Sequence, residues 1–177
     1  MPQVTTRQAP IAVYQMGKVG SETIINSLKN INLSAPVYHI HLLAPRHLDS
    51  VIPRYRKQNL PLTLQLKHSQ ELRAYLDDRP AAPLNVITAV REPISQFISA
   101  FFQNVKTSHP YFIEENGAWN EEKIYTYLHK EISNYDPKSA WNCNWFDNDF
   151  KAALDIDIYQ YDFNRELGYT EFTQSKE

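Results

Sequence analysis

Short apolar runs alternate with helical stripes along the chain, and this alternation predicts its elements. Residues 11–14 form a four-residue apolar run that ends at a glycine-containing turn, which is typical of a buried strand. Ser21 is suited to cap the helix that follows, in which apolar residues recur every third or fourth position until about Asn30. Similar apolar runs predict four more strands, over residues 37–43, 62–66, 84–90 and 155–161.

Helical periodicity fills the segments between the predicted strands. The strongest stripe follows Pro93, a residue suited to the first turn of a helix, and continues to Val105. Pro53 interrupts an earlier stripe and predicts a break or restart of that helix. Residues 106–120 carry no regular stripe and predict a long irregular loop. The other predicted helices cover residues 47–55, 69–76 with Ser69 as the cap, 120–132 and 145–154.

This order of elements predicts an α/β fold with a mostly parallel central sheet flanked by helices, because parallel neighbours need helical crossovers. The 177 residues match one domain of ordinary size, and we expect a single unit over 1–177 with tails at 1–10 and 170–177. Ligands of such sheets bind at the carboxyl ends of the strands. The loops of interest are therefore 15–21, the vicinity of His41, 67–68 and 91–93.

The charge balance and the cysteine content argue against several classes of protein. Eighteen Lys and Arg residues against 20 Asp and Glu leave a net charge of −2, so no basic excess favours nucleic acid or an anionic membrane. The lone Cys143 cannot form an internal disulfide, and no apolar run approaches the roughly 18 residues of a membrane span. The first residues lack an apolar secretory core, and we expect a cytosolic protein without an integral membrane segment.

The loop after the first predicted strand has the composition of an anion cradle. Gly17 and Gly20 allow the backbone to approach a ligand, and the free amides of the following helix attract negative charge. Lys18 adds a positive charge, while Ser21 and Thr23 add hydroxyl donors. Because Lys18 precedes the second glycine, the loop lacks the Walker A spacing, and hydrolysis of ATP or GTP is disfavoured. An ordinary strand-to-helix turn is the alternative interpretation.

A second candidate anion site follows the fourth predicted strand. Arg91 comes directly after that strand, and Ser95 and Ser99 follow at helical spacing near one face. A guanidinium group with hydroxyls behind it suits a second phosphate. The alternative is that Arg91 pairs with the neighbouring Glu92.

Together, the two loops resemble the cofactor-binding elements of the sulfotransferases that use PAPS (3′-phosphoadenosine 5′-phosphosulfate). Residues 17–21 with Thr23 match the element that binds the 5′-phosphosulfate in that superfamily. Residues 91–93 with Ser99 match the element that binds the 3′-phosphate. The segments 14–29, 37–43, 90–104 and 145–169 look more narrowly like the bacterial family of capsular polysaccharide synthesis proteins.

The resemblance implies a P-loop-like three-layer fold, shortened at its C-terminal end, that transfers a sulfuryl group from PAPS to a hydroxyl of a saccharide acceptor. It implies that Lys18 neutralises charge on the leaving phosphate and that the amides around Gly20 and Ser21 hold the 5′-phosphate, with no metal required. Val19 and Glu22 belong to the same cofactor-binding loop. Relatives usually carry a small hydroxyl residue at the position of Glu22.

Three histidines compete for the role of the base that takes the acceptor's proton, because imidazole titrates near neutral pH. By the same resemblance, His68 lines up with the catalytic histidine of the uronyl 2-O-sulfotransferases and is the first choice. His41 is the second choice, and it shares a strand face with His39. A zinc site on His39 and His41 would need further ligands that the spacing does not supply. A purely structural role is the alternative for each histidine.

Two other functions stay open on the residues alone. A small-molecule kinase would use the same cradle with ATP and Mg²⁺. A non-catalytic nucleotide-binding or assembly module would bind without turnover. The aromatic segment 141–146 is more typical of a core than of a surface that stacks on a base or a sugar.

Overall fold

The structure, a computed structural model, describes residues 8–31 and 33–175. These residues form an α/β fold around a small open sheet of three parallel strands in the order β2-β1-β3. The strands are β1 (Ile11–Tyr14), β2 (Val37–Ile40) and β3 (Asn85–Ile87). The α/β class and the parallel sheet are confirmed. Parts of the two predicted tails, residues 1–7 and 176–177, lie outside the described residues.

Several helices follow the predicted stripes. The α-helices in the described residues are α1 (Ser21–Lys29), α2 (Pro45–Lys57), α3 (Leu64–Asp78), α4 (Pro93–Ser108), α5 (Glu121–Ser133), α6 (Trp141–Trp145) and α7 (Ala152–Leu154). The helix predicted from Pro93 is confirmed, with this proline in its first turn. The helix predicted from Asn120 is also confirmed, because the Asn120 side chain accepts a hydrogen bond from the amide of Lys123 at 2.9 Å. Pro53 lies inside α2 without ending it.

Four predicted boundaries are corrected. The second strand ends at Ile40 rather than at residue 43, and the fourth predicted strand, 84–90, pairs with β1 only over 85–87. The predicted loop 106–120 includes the end of α4 and a 3₁₀ turn at 110–112. The helix predicted for 145–154 begins earlier, as α6, and a π-helical stretch, Phe146–Lys151, joins α6 to α7.

The strand predicted over 62–66 is wrong, because this segment begins α3. Thr63 is the N-cap, and its hydroxyl accepts a hydrogen bond from the amide of Leu66 at 3.3 Å. Ser69, the predicted cap, lies inside the helix and donates to the carbonyl of Gln65 at 2.9 Å. Alternating leucines fit both periods over so few residues, and the later buried leucines of α3 decide in favour of the helix.

Helix α3 packs against β2, at the outer edge of the sheet. The amide of His39 on β2 donates to Nδ1 of His68 on α3 at 3.0 Å. An edge strand presents unpaired amides, and this side chain satisfies one of them. His68 therefore lies on a helix that covers the sheet edge, and the prediction that it ends a strand is wrong.

The strand predicted over 155–161 is also wrong. Asp155 adopts the left-handed conformation, with φ 59°, and a 3₁₀ turn follows. The carboxylate of Asp157 accepts hydrogen bonds from Nζ of Lys151 at 2.7 Å and from the amide of Tyr159 at 3.1 Å. The side chain of Asp157 thus provides a hydrogen-bond partner for a backbone amide of the turn that a neighbouring strand would otherwise provide.

A fully buried carboxylate, Asp149, joins the sheet to the C-terminal half of the chain. It lies in the π-helical stretch and accepts hydrogen bonds from the Tyr14 hydroxyl of β1 and from Nδ1 of His47 on α2. The amides of Leu43 and Ala44 donate to the same carboxylate, at 2.8 and 3.5 Å. Burial, and then the neighbouring carboxylate, raise the pKa of Tyr14 well above its usual value, so its hydroxyl stays protonated and donates.

The main core surrounds this carboxylate. The rings of Trp145 and Phe150 lie 5.0 and 5.3 Å from the ring of Tyr14, and Ile40 and Leu72 belong to the same cluster. The apolar contacts thus bury the charge, while the hydrogen bonds compensate it.

Replacing Asp149 with alanine is expected to lower the free energy of unfolding by about 3 kcal/mol or more, because a buried hydroxyl and a buried amide lose their acceptor. Asp147→Ala is the matched control, since Asp147 is an exposed carboxylate in the same π-helical stretch. This control should change the free energy by less than about 0.5 kcal/mol. Urea unfolding followed by circular dichroism measures both, and equal stability of the two variants would contradict the role given to Asp149.

Candidate functional site

The loops that follow β1 and β3 lie side by side. The chain leaves β1 for β2 on one side of the sheet and later returns to β3 on the other side. Such a reversal opens a crevice at the carboxyl ends of the two strands, where α/β proteins bind ligands. A cleft of about 1140 Å³ lies here, and both loops line it.

Most of the predicted binding residues line this cleft. They are Gly17, Lys18, Gly20, Ser21, Glu22, His41, Arg91 and Ser99. Three predicted site residues are placed elsewhere, and one of them, His68, lines a smaller cavity described below. Val19 packs against the main core, and Thr23 is an exposed residue of α1 outside the lining of the cleft.

The cradle turns sharply into α1. Lys18 and Gly20 both have positive φ values, of 69° and 99°, and Gly20 is the residue before the helix. The prediction that Ser21 caps this helix is wrong. Ser21 is the first residue of α1, because Gly20, in the left-handed conformation, takes the cap position. A Cβ atom at Gly17 or Gly20 would meet no other atom within 4 Å, so there is open space against the cradle backbone for a ligand.

Two side chains from the second loop and its helix fix the cradle. Nε2 of Gln96 donates to the carbonyl of Gly17 at 2.6 Å, and Arg91 donates to the carbonyl of Lys18 at 3.3 Å. In a trans peptide the amide points away from the carbonyl, so the amides of Lys18 and Val19 point away from these two donors. This role for the buried Gln96 is not predicted from the sequence. The one signal for it in the sequence is its place in the first turns of the helix that begins at Pro93.

Arg91 does not form the ion pair with Glu92 that was the alternative interpretation. The carboxylate of Glu92 caps α4 and accepts hydrogen bonds from the amides of Ile94 and Ser95 at 2.9 and 2.7 Å. These hydrogen bonds, with that from Ile94 the strongest, hold the pKa of Glu92 below its usual value. Arg91 is exposed in the cleft, and its contact with Lys18 uses one of five N–H donors.

His41 is the histidine that lies in the cleft. Its Nδ1 atom is 2.8 Å from the carbonyl oxygen of Gln15. A carbonyl can only accept, so Nδ1 carries the proton, and in the neutral ring Nε2 holds the free electron pair. The carbonyl of His41 in turn accepts from Nε1 of the buried Trp145 at 3.0 Å, which anchors its backbone to the core.

His39 and His68 lie outside this cleft. Together they line a smaller cavity of about 340 Å³, and Glu22 lines both cavities. The ring centroids of His39 and His41 are 5.0 Å apart. Burial lowers the pKa of His39, which favours the neutral form of its ring. The carboxylate of Glu22 lies 3.9 Å from Nδ1 of His39. The structure therefore brings His41, and not His68, to the cradle.

The part of the chain that the structure describes holds no group of three or more His, Cys, Asp or Glu side chains arranged for a metal ion. Among the same residues, no helix combines the length and the apolar character needed to cross a membrane.

The aromatic segment 141–146 is divided between core and cleft. Trp145 and Phe146 are buried in the main core, as predicted. Trp141 is 48% exposed and lines the cleft, so the prediction of a core residue is wrong for this position. Asn142 holds this wall in place, because it donates to the carbonyl of Pro93 at 3.1 Å and accepts from the Tyr135 hydroxyl at 2.6 Å.

No family model, curated protein or solved structure matches this chain. The chemistry of the cleft therefore carries the functional interpretation.

The contact of Gln96 with the cradle can be tested without a ligand. Replacing Gln96 with leucine should make amide exchange over residues 17–20 about fivefold faster, because the cradle loses one buried hydrogen bond. Gln103→Leu on the exposed part of the same helix is the matched control. Hydrogen–deuterium exchange followed by NMR measures both, and identical exchange in the two variants would contradict a bracing role for Gln96.

Proposed function

We propose that this protein is a PAPS-dependent sulfotransferase that acts on a hydroxyl of a saccharide. The observation that carries the proposal is the junction of two anion-binding loops in one cleft, with Arg91 in contact with Lys18. The proposal includes the P-loop-like arrangement and the cytosolic location expected from the sequence.

The residues present fit a nucleotide with two separated phosphate groups. At the start of α1 the amide of Thr23 donates to the carbonyl of Gly20 at 3.1 Å, which leaves the amides of Ser21 and Glu22 for a ligand at the end of the cradle, next to Lys18. Arg91 and Ser99 line the same cleft from the second loop and α4. Lys18 and Arg91 are the two Lys or Arg residues among its described lining residues, and they face one carboxylate at the cradle, that of Glu22. The cradle therefore has a local excess of positive charge although the whole chain carries −2.

PAPS supplies the sulfuryl group and a phosphate that can leave. The chain's own residues would bind and orient this group. The ammonium of Lys18 would offset negative charge on the departing phosphate, and the cradle amides would hold it in a fixed place without reorganisation. The planar guanidinium of Arg91 would donate several N–H groups to the 3′-phosphate.

The acceptor hydroxyl must lose a proton when its oxygen bonds to sulfur. Nε2 of His41 is suited to take that proton, since Nδ1 is held in its protonated form by the carbonyl of Gln15. Nδ1 of His68 already accepts the amide of His39, and its ring lines the other cavity. In the proposed mechanism His41 is therefore the base, and His68 supports the sheet edge.

Calorimetric titration with 3′-phosphoadenosine 5′-phosphate, ADP and Mg-ATP tests the nucleotide. We expect the 3′-phosphorylated nucleotide to bind most tightly and Arg91→Ala to weaken it by about tenfold or more, because a charge-assisted contact is lost. The matched control is Arg79→Ala, which removes an exposed arginine after α3 and should leave the affinity unchanged.

Two results would overturn the proposal. A preference for Mg-ATP would favour a kinase. No binding of any nucleotide by the folded protein would favour an assembly module.

The choice of base is tested by the release of 3′-phosphoadenosine 5′-phosphate from PAPS in the presence of a pool of saccharides. His41→Gln should lower the rate about 100-fold or more with nucleotide affinity unchanged, because the proton acceptor is lost. His68→Gln is the matched variant and should keep most of the rate. The reverse pattern would show that His68 acts as the base.

A further inference from the structure

Trp141 is an aromatic surface held in place inside the cleft. The indole is about half exposed and lines the same cleft as the cradle. The ring of His47 meets it edge to face, with centroids 5.2 Å apart. Nδ1 of His47 is bonded to the fully buried Asp149. The core therefore supports this side chain from behind, which lowers the entropy lost when a ligand stacks on it.

Short polar side chains that are close to Trp141 in the chain line the same cleft. Asn134, Asp136 and Ser139 all line it. Local bonds orient each of them: Asn134 donates to the carbonyl of Lys130 at 2.7 Å, Asp136 accepts from the amide of Lys138 at 3.0 Å, and Ser139 donates to the carbonyl of Asp136 at 3.3 Å. Each keeps an oxygen that can accept a further hydrogen bond.

An aromatic face beside such oxygens is complementary to a sugar ring. One face of a pyranose presents C–H groups, which carry a slight positive charge and pack on the negative face of an indole. Its rim presents hydroxyls, which donate to amide and carboxylate oxygens. A nucleobase offers the ring face but few hydroxyls, so the polar rim favours a saccharide.

The charges of this wall restrict the kind of saccharide. Glu131 and Asp136 are its charged lining residues, and both are acidic. The two cations of the cleft, Lys18 and Arg91, belong to the proposed nucleotide site, where phosphates would neutralise them. Among the side chains of this wall that line the cleft, the charged groups that a uronate or sulfate would meet are both negative.

We infer that the wall formed by residues 131–142 is the acceptor subsite, that Trp141 stacks on a sugar ring there, and that the acceptor is an uncharged or amino-substituted saccharide. The role of this saccharide as the acceptor rests on the proposed function. Binding of the saccharide itself depends on the wall alone.

A glycan array that displays neutral, amino-substituted, uronate-containing and sulfated oligosaccharides tests the inference, with 3′-phosphoadenosine 5′-phosphate present. We expect binding to neutral or amino-substituted glycans. Trp141→Ala should reduce this binding about tenfold, and Trp141→Phe should restore much of it because a stacking face returns. Trp119→Ala is the matched control, since Trp119 is an exposed tryptophan that packs on Phe102 outside the cleft.

A charge variant provides the second measurement. Glu131→Gln combined with Asp136→Asn should extend binding to uronate-containing glycans, because the repulsion is removed. Binding restricted to anionic glycans by the unchanged protein, no binding to any glycan, or equal binding by Trp141→Ala would each overturn the inference. A loss of nucleotide affinity in Trp141→Ala with glycan binding intact would show a base-stacking residue instead.

The nucleotide titration separates this inference from the proposed function. If nucleotide binds and no glycan does, the acceptor subsite is wrong while the nucleotide site stands. If neutral glycans bind through Trp141 and no nucleotide binds, the sulfotransferase proposal is wrong while the saccharide site stands.

Discussion

The rest of the structure depends on the hydrogen bonds that surround the buried carboxylate of Asp149. A buried charge is stable only when hydrogen bonds surround it, and here the donors come from β1, from the segment after β2 and from α2. The π-helical stretch that carries Asp149 is thereby tied to the sheet. Tyr14, one of these donors, stands three residues before Gly17, so the same contact also fixes where the cradle begins.

The site depends on a second constraint, the neighbouring positions of β1 and β3. Because these strands are parallel and adjacent, their loops leave the sheet at the same edge. Gln96 and Arg91 can then bond to the cradle carbonyls from a segment more than 70 residues away in the chain. The segment that supplies the second cation of the cradle also shapes the cradle, and this links the two proposed phosphate-binding groups physically. The proposed chemistry needs this link, because the two phosphate groups of one nucleotide must be held in a fixed relation to orient its sulfuryl group.

Sequence patterns predicted the elements whose cause is local. The stripe of α4 and its initial Pro93 are local signals, and the short apolar run of β1 before a glycine turn is also recognisable from its own residues, although β1 pairs with distant strands. The segment 62–66 was misassigned because alternating leucines satisfy a strand and the first turn of a helix equally well over five residues. That error placed His68 at a strand end, whereas the sheet edge it covers exists only once α3 has packed against β2.

The residues of the cradle and Arg91 were recognisable from the chain because glycine spacing, a cation and a helix start are properties of short segments. The sequence by itself thus determined the α/β class and the composition of the two loops proposed to bind phosphate. Only the tertiary structure decided that His41 faces the cleft, that Gln96 braces the cradle and that Trp141 lies in the wall while Trp145 lies in the core. The physical reason is that burial and hydrogen-bond partners arise between segments far apart in the chain, and no local pattern encodes which of two similar side chains meets the solvent.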